Sequence, residues 1–276
     1  MELMDFDGLF DEKLAVYMEE KKNKYTEKEW EDVIPRLYKK FGETYVAKVG
    51  CTPKEYYARM SDEQLVQTLT AHLSQDVPVP EFLCNELENR NNVELLLPLL
   101  DSVDTATQAY AINLILDDQR AYEAYFSLLC DEDADGDVRD DIADIFKRNA
   151  DEVADKVLAA YRKGIATEYM LEIMSRVVGR SEEIFAILRE EFLSAEERTP
   201  MRASYLAAYG DARALPLLLE KIEDRGIGFV EFQELKYAIE ALGGEYDEAR
   251  DFSDDKDYLA VEAATARAME KPEIKS

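Results

Sequence analysis

From about residue 76 the chain repeats itself with a period near 31 residues, and a chain that repeats on this scale is confined to a row of similar supersecondary units. Aligned apolar segments begin near Thr107, Val138, Tyr169, Met201 and Phe232, at offsets of 31, 31, 32 and 31 residues. Details recur with them. Val138-Arg139 matches Met201-Arg202 two periods on, and Gly179, Gly210 and Gly243 stand where the third, fourth and fifth of these segments should close. A second family interleaves with the first. Its expected helix caps are Asp118, Asp151, Ser181 and Asp211, spaced 33, 30 and 30 residues apart. Each is a residue type whose side chain can accept from the unpaired N–H groups at a helix start.

The apolar spacing is helical. Leu215, Leu218, Leu219 and Ile222 fall at i, i+3, i+4 and i+7, and Val138, Ile142, Ile145 and Phe146 share one stripe. One such helix cannot bury its stripe alone, whereas stacked pairs can. Residues 128–143, Leu128-Leu-Cys-Asp-Glu-Asp-Ala-Asp-Gly-Asp-Val-Arg-Asp-Asp-Ile-Ala143, end one helix on leucines, turn on acids and restart with Val-Arg. That pattern resembles the HEAT repeat. Tyr209-Gly-Asp-Ala-Arg-Ala-Leu-Pro-Leu-Leu-Leu219 is similar to the short HEAT type of phycobilisome-lyase-like proteins, and Leu95-Leu-Leu-Pro98-Leu-Leu100 echoes it. The period is shorter than the ~40–47 residues usual for HEAT units, but the Trp-Leu-Gly-Tyr and Thr-Pro-Leu-His signatures of tetratricopeptide and ankyrin repeats are missing. The resemblance implies an all-α fold, an α-solenoid of about five to six short HEAT-like helix pairs. It implies scaffolding rather than a particular reaction, and no lyase residue carries over.

Residues 1–75 read as an N-terminal helical cap, 76–250 as the repeats, and 251–276 as a last helix and tail. Thr26-Glu-Lys-Glu29, Thr52-Pro-Lys-Glu55 and Ser61-Asp-Glu-Gln64 are capping boxes. Val33, Leu37 and Phe41, then Leu65, Leu69 and Leu73, follow at helical spacing. Tyr25, Trp30, Tyr38, Phe41, Tyr45, Tyr56 and Tyr57 make this the most aromatic stretch, read first as the core of the cap and second as a binding or dimerising surface. The alanine-rich run 259–269 is expected to be helical, with the end frayed from Pro272 onward.

Charge divides the chain. Residues 1–60 hold 13 acids and 11 bases, and residues 61–276 hold 48 acids and 22 bases, within a total net charge of −28. Such a surface repels nucleic acid and anionic lipid and favours a basic protein partner, besides promoting solubility. Cys51, Cys84 and Cys130 are odd in number and far apart, which suits reduced thiols in a cytoplasmic protein rather than disulfides or a metal knot. No secretory signal or membrane span is evident.

The residues offer little chemistry. Asp131, Asp133 and Asp135, with Gly136 and Val138, match the opening of a calcium loop, but position 12 is Ile142 where a bidentate Glu belongs. An acidic turn between repeat helices accounts for the same residues. His72, the only histidine, falls on the stripe of Leu65 and reads as core. The three cysteines read as small core residues. Arg225-Gly-Ile-Gly228 lacks the third glycine and the strand of a dinucleotide loop and reads as a turn. The expectation is therefore a non-catalytic protein-binding scaffold without a cofactor. Its contact face is expected on the second-family helices, 122–130, 154–161, 183–192 and 212–222, with Tyr122, Tyr125, Tyr161, Arg189 and Glu220 as contact residues. Two enzymatic alternatives come from the resemblance. A DNA glycosylase-like activity is opposed by the acidic surface. A cofactor-lyase-like activity would need an apolar pocket between cap and repeats. A calcium-responsive module is the remaining alternative.

Overall fold

The computed structural model describes residues 3–22 and 24–270. About 70% of the chain is helical and no strand forms among the described residues; Val46 and Cys51 make a lone antiparallel bridge. Two compact units divide the chain, Met1–Ile142 and Ala143–Ser276. The first contains α1 (Phe6–Glu20), α2 (Glu27–Phe41), α3 (Pro53–Ala58), α4 (Asp62–Ser74), α5 (Glu81–Arg90), α6 (Val93–Leu96), α7 (Thr105–Ile115) and α8 (Tyr122–Cys130). The division falls inside α9 (Gly136–Arg148). The second unit continues with α10 (Ala150–Arg162), α11 (Thr167–Met174), α12 (Glu182–Leu193), α13 (Thr199–Tyr209), α14 (Leu215–Ile222), α15 (Phe229–Ala241) and α16 (Lys256–Glu270). No described helix is long and apolar enough to cross a membrane. The tail from Pro272 lies outside the described residues.

The three capping boxes form as the sequence requires, with both reciprocal bonds present at Thr26, Thr52 and Ser61. Ser181 caps α12 through the N–H of Ile184. Asp118 and Asp211 cap short 3-10 turns that lead into α8 and α14. Asp151 differs from expectation. Only Asn149 separates α9 from α10, so α10 begins a residue before Asp151, and Asn149 itself makes no side-chain cap. The Asp151 carboxylate instead accepts from the N–H groups of Val178 and Gly179, at 3.3 and 2.7 Å. Gly210, at φ 72°, ends α13 in the left-handed region, and Gly243 follows the end of α15 at φ 80°. Gly179 does not close α11, which stops at Met174.

In the second unit α10 packs on α11, α12 on α13 and α14 on α15, and α13 also lies against α11 and α15. First-family helices thus form a row with a second-family helix paired to each. Val157, Met170, Leu171, Leu188, Leu206, Leu218, Leu235 and Ile239 fill the interior between them. In the first unit α5 packs against α3, α4 and α7, around Phe6, Tyr57, Leu65, Leu69 and Leu83. His72 belongs to this core and is fully buried.

Long-range polar bonds link neighbours about one period apart. Asp62 accepts from Arg90 and Asn92 at 2.7 and 2.8 Å, the Tyr209 hydroxyl exchanges bonds with the backbone of Ser181, and Arg213 reaches Glu182 at 2.8 Å. Arg202 is the deepest of these groups. Only 3% exposed, it donates to both oxygens of Glu168 at 2.8 Å and pairs with Glu191 at 3.3 Å, while Tyr161 donates to Glu191 at 2.6 Å. One guanidinium therefore ties α10, α11, α12 and α13 together. Burial works against its charge, yet the Glu168 bonds raise its pKa further, and Glu168 is held below the usual carboxylate range by the same contact.

Candidate functional site

A groove of about 850 Å³ lies in the first unit, walled by α1, α2, α3 and α5. Its size falls among ordinary ligand pockets. Phe10, Tyr38 and Phe82 form the aromatic part. Tyr38 and Phe82 stack face to face with centroids 4.6 Å apart, and Phe10 meets Tyr38 edge-on at 4.9 Å. Ile34 and Pro35 continue the apolar surface along α2. Pro35 sits inside that helix and has no N–H to offer the carbonyl one turn back, a cost accepted here for a rigid apolar wall.

Polar residues surround this floor. Glu81, Asn85, Glu86 and Asn89 run along α5, Lys39 stands on α2, and Lys54 and Glu55 on α3, where the small Ala58 completes the wall. Lys54 is engaged with Glu43 at 2.9 Å, and Glu55 closes the capping box at Thr52. Arg90 fixes the distance between two of the walls. It bonds Glu86 and Asp62 at 2.8 and 2.7 Å and donates to the carbonyls of Ala58 and Met60, supplying partners for the open end of α3.

Asp7 anchors the floor from below. Tyr38 donates to its carboxylate at 2.5 Å, and the Glu81 backbone N–H lies near enough to favour its charged form. Pro80, the residue before α5, makes no side-chain cap for that helix. Burial raises the Asp7 pKa, with Tyr38 and the Glu81 N–H opposing. The Tyr38 hydroxyl is pushed well above its ordinary value by burial and by Asp7. Cys84, on the same helix, does not line the groove, and burial pushes its thiol up to about 11.

Of the aromatic stretch noted in sequence, Trp30, Phe41 and Tyr57 are buried, Tyr38 lines the groove and Tyr45 is exposed. The second-family contact residues are placed as follows. Tyr122 and Tyr125 are buried, and the Tyr125 hydroxyl donates to the Leu116 carbonyl at 3.1 Å. Tyr161 is half-buried and bonded to Glu191, which together with burial raises its pKa to about 12. Arg189 and Glu220 are exposed. Asp131, Asp133 and Asp135 are exposed too, and two of the carboxylates turn back on the chain: Asp131 accepts from Asp133 N–H, and Asp135 from Asp137 and Val138 N–H. Ile142, at the last calcium-loop position, is fully buried. Among the described residues no group of three or more His, Cys, Asp or Glu side chains could hold a metal ion.

Phe10, Ile34, Pro35, Phe82, Asn85 and Asn89 escaped the sequence reading. The signal available was local: Ile34-Pro35 places apolar, helix-breaking residues off the Val33–Leu37–Phe41 stripe of an otherwise polar helix. Phe82 came into view only when α5 was brought against α2. The chain matches no family model, no curated protein and no solved structure.

Proposed function

We propose that this chain is a non-catalytic protein-binding scaffold, and that its specific contact is the groove of α1, α2, α3 and α5. The observation that carries this reading is the open aromatic floor, an apolar surface rimmed by polar groups of the kind that marks interaction sites. The acidic remainder of the chain steers a basic partner toward it and holds it weakly, with Arg189 and Glu220 among the exposed groups of that surface. The paired helices of the second unit and the bonds spaced by one period support an arrangement of short HEAT-like pairs. Nucleic acid is a poor candidate, since Arg90, Arg120, Lys147, Arg162, Arg198, Arg202 and Arg213 are already paired with carboxylates. A second reading, a cofactor-lyase-like protein, draws on the same groove, because its lining comes from both sides of residue 75.

Ala58 is exposed on the groove wall, so Ala58→Arg blocks the groove without burying a charge. Affinity capture with the wild type and this variant, at ~50 and ~300 mM salt, tests the proposal by varying charge screening. A basic protein held by the wild type, weakened by salt and lost with Ala58→Arg is the expected result. Identical captures by both proteins would place the contact elsewhere.

A further inference from the structure

We infer that the groove receives one face of a short, basic amphipathic helix of the partner protein. The inference rests on the groove being the contact surface. Three features of the site point to this occupant. The walls are all helices, and no strand exists among the described residues to present a row of unpaired backbone groups. An extended peptide would bring an N–H and a C=O at every residue against an apolar floor, with the Asn85 and Asn89 amides at the lip too few to pair them, whereas a helix satisfies its backbone internally. The dimensions agree as well. Glu81 to Asn89 covers nine residues of α5, a rise of roughly 12 Å, and apolar anchors at i and i+7 of a bound helix span about 10.5 Å. Two turns of helix thus lie along the aromatic floor, with anchors at i, i+3 or i+4, and i+7.

Charge sets the orientation. Along α5 the lip offers Glu81, Asn85, Glu86 and Asn89, and with Glu86 engaged by Arg90 at 2.8 Å, Glu81 is the carboxylate left to meet a cation there. On the facing side Lys54 is engaged with Glu43, which leaves Lys39 as the cation of that lip. A bound helix therefore places Lys or Arg beside α5. The net charge of −28 attracts any cationic peptide, so the test must separate this lip from the general field.

Three fluorescein-labelled peptides of about 14 residues, some four turns, serve as probes. The first has leucines at the anchor positions and lysines flanking them, the second has glutamates in place of the lysines, and the third is the first with a central proline. Anisotropy titrations at ~150 mM salt, where screening is near physiological, should show the lysine peptide binding at least about tenfold tighter than the other two. Glu81→Lys changes the net charge by only two units, so a loss of the preference for lysine over glutamate in this variant assigns it to the lip. Glu81→Gln, which keeps the helix start intact, should give an intermediate value. Ala58→Arg should abolish binding of the lysine peptide with an unchanged melting temperature. Equal binding of the proline peptide would overturn the helical occupant. An unchanged preference in Glu81→Lys would overturn its orientation. Peptide binding that survives Ala58→Arg would instead remove the groove from the function altogether. Binding of an apolar dye such as anilinonaphthalene sulfonate, blocked by Ala58→Arg without any peptide binding, would make the groove a small-molecule site.

Discussion

Leu116 ends α7 at φ 54° and ψ −130°, a backbone region that glycine occupies without strain and a γ-branched residue does not. Its carbonyl is held by the Tyr125 hydroxyl, and its side chain is 52% exposed. The strain is thus fixed from outside while the side chain contributes little packing. Leu116→Gly should raise stability by about 1 kcal/mol, visible as a higher denaturation midpoint, since strain of this kind costs of order 1–3 kcal/mol. A lower midpoint would show that Leu116 packs more than its exposure indicates. Gly42 presents the opposite case. Its φ of −55° suits any residue, but an added Cβ would stand 2.5 Å from the Phe82 ring. That ring is stacked on Tyr38 and cannot swing away cheaply. Gly42→Ala should cost about 1–3 kcal/mol, as overpacking does, and should weaken the lysine peptide at the same time. Little of this is visible in sequence. A glycine after an amphipathic helix announces a cap, and at Gly42 the reason is instead the close approach of a residue 40 positions away.

The elements were the most legible part of the chain. Thr26, Thr52, Ser61 and Ser181 cap helices because a short polar side chain and the backbone N–H groups it serves lie within one turn, so no distant partner is needed. Asp151 does not cap a helix because its partners, Val178 and Gly179, arrive from 27 and 28 residues further along the chain. Asp118 and Asp211 combine both levels. Each caps a 3-10 turn and is clamped by the Arg two residues on, and both carboxyls are lowered to about 2, first by that Arg. A folded pKa below the ordinary 3.8 means that the charged form is stabilised by folding. That stability is full above the ordinary value and is lost as pH falls toward 2. Acid titrations should therefore show the unfolding midpoint falling between pH 4 and 2, less steeply in Asp211→Asn, which keeps the cap but not the charge. An equal slope in both proteins would assign the acid sensitivity to other carboxylates. Arg202 is tested by truncation. Arg202→Ala leaves Glu168 and Glu191 without their shared cation and should cost about 3 kcal/mol, whereas Arg202→Met, which keeps the volume, should cost less. Equal losses would mean that packing, not charge, is what the side chain supplies.

At the scale of the whole molecule, charge dominates. A net of −28 on 276 residues repels itself in the compact state more than in the open chain. Many of the ion pairs that oppose this repulsion are exposed and individually weak. Raising salt from ~10 to ~300 mM shortens the screening length from about 30 Å to below 10 Å and should raise the melting temperature of the unliganded protein. A fall would show that the one-period ion pairs outweigh the repulsion. The same salt increase should slow association with the basic peptide more than it speeds dissociation, since steering acts on the encounter.

By itself the sequence determined the helical class, most helix starts, the pairing of successive helices in the second unit and the sign of the net charge. All of these depend on spacing within a few turns, or on sums over the chain, and neither needs to know which helices touch. The solenoid reading extends that order, and its support stops at the pairings within the second unit. Only the tertiary structure decided the rest. It withdrew Tyr122 and Tyr125 into the interior, made Tyr161 a strut beside Arg202, and joined Phe10, Tyr38 and Phe82 from three helices into one floor. A groove is a property of the space between elements, and that space is set by how far apart packed helices are held, here by Arg90 and Asp7, whose partners lie about thirty or more residues away.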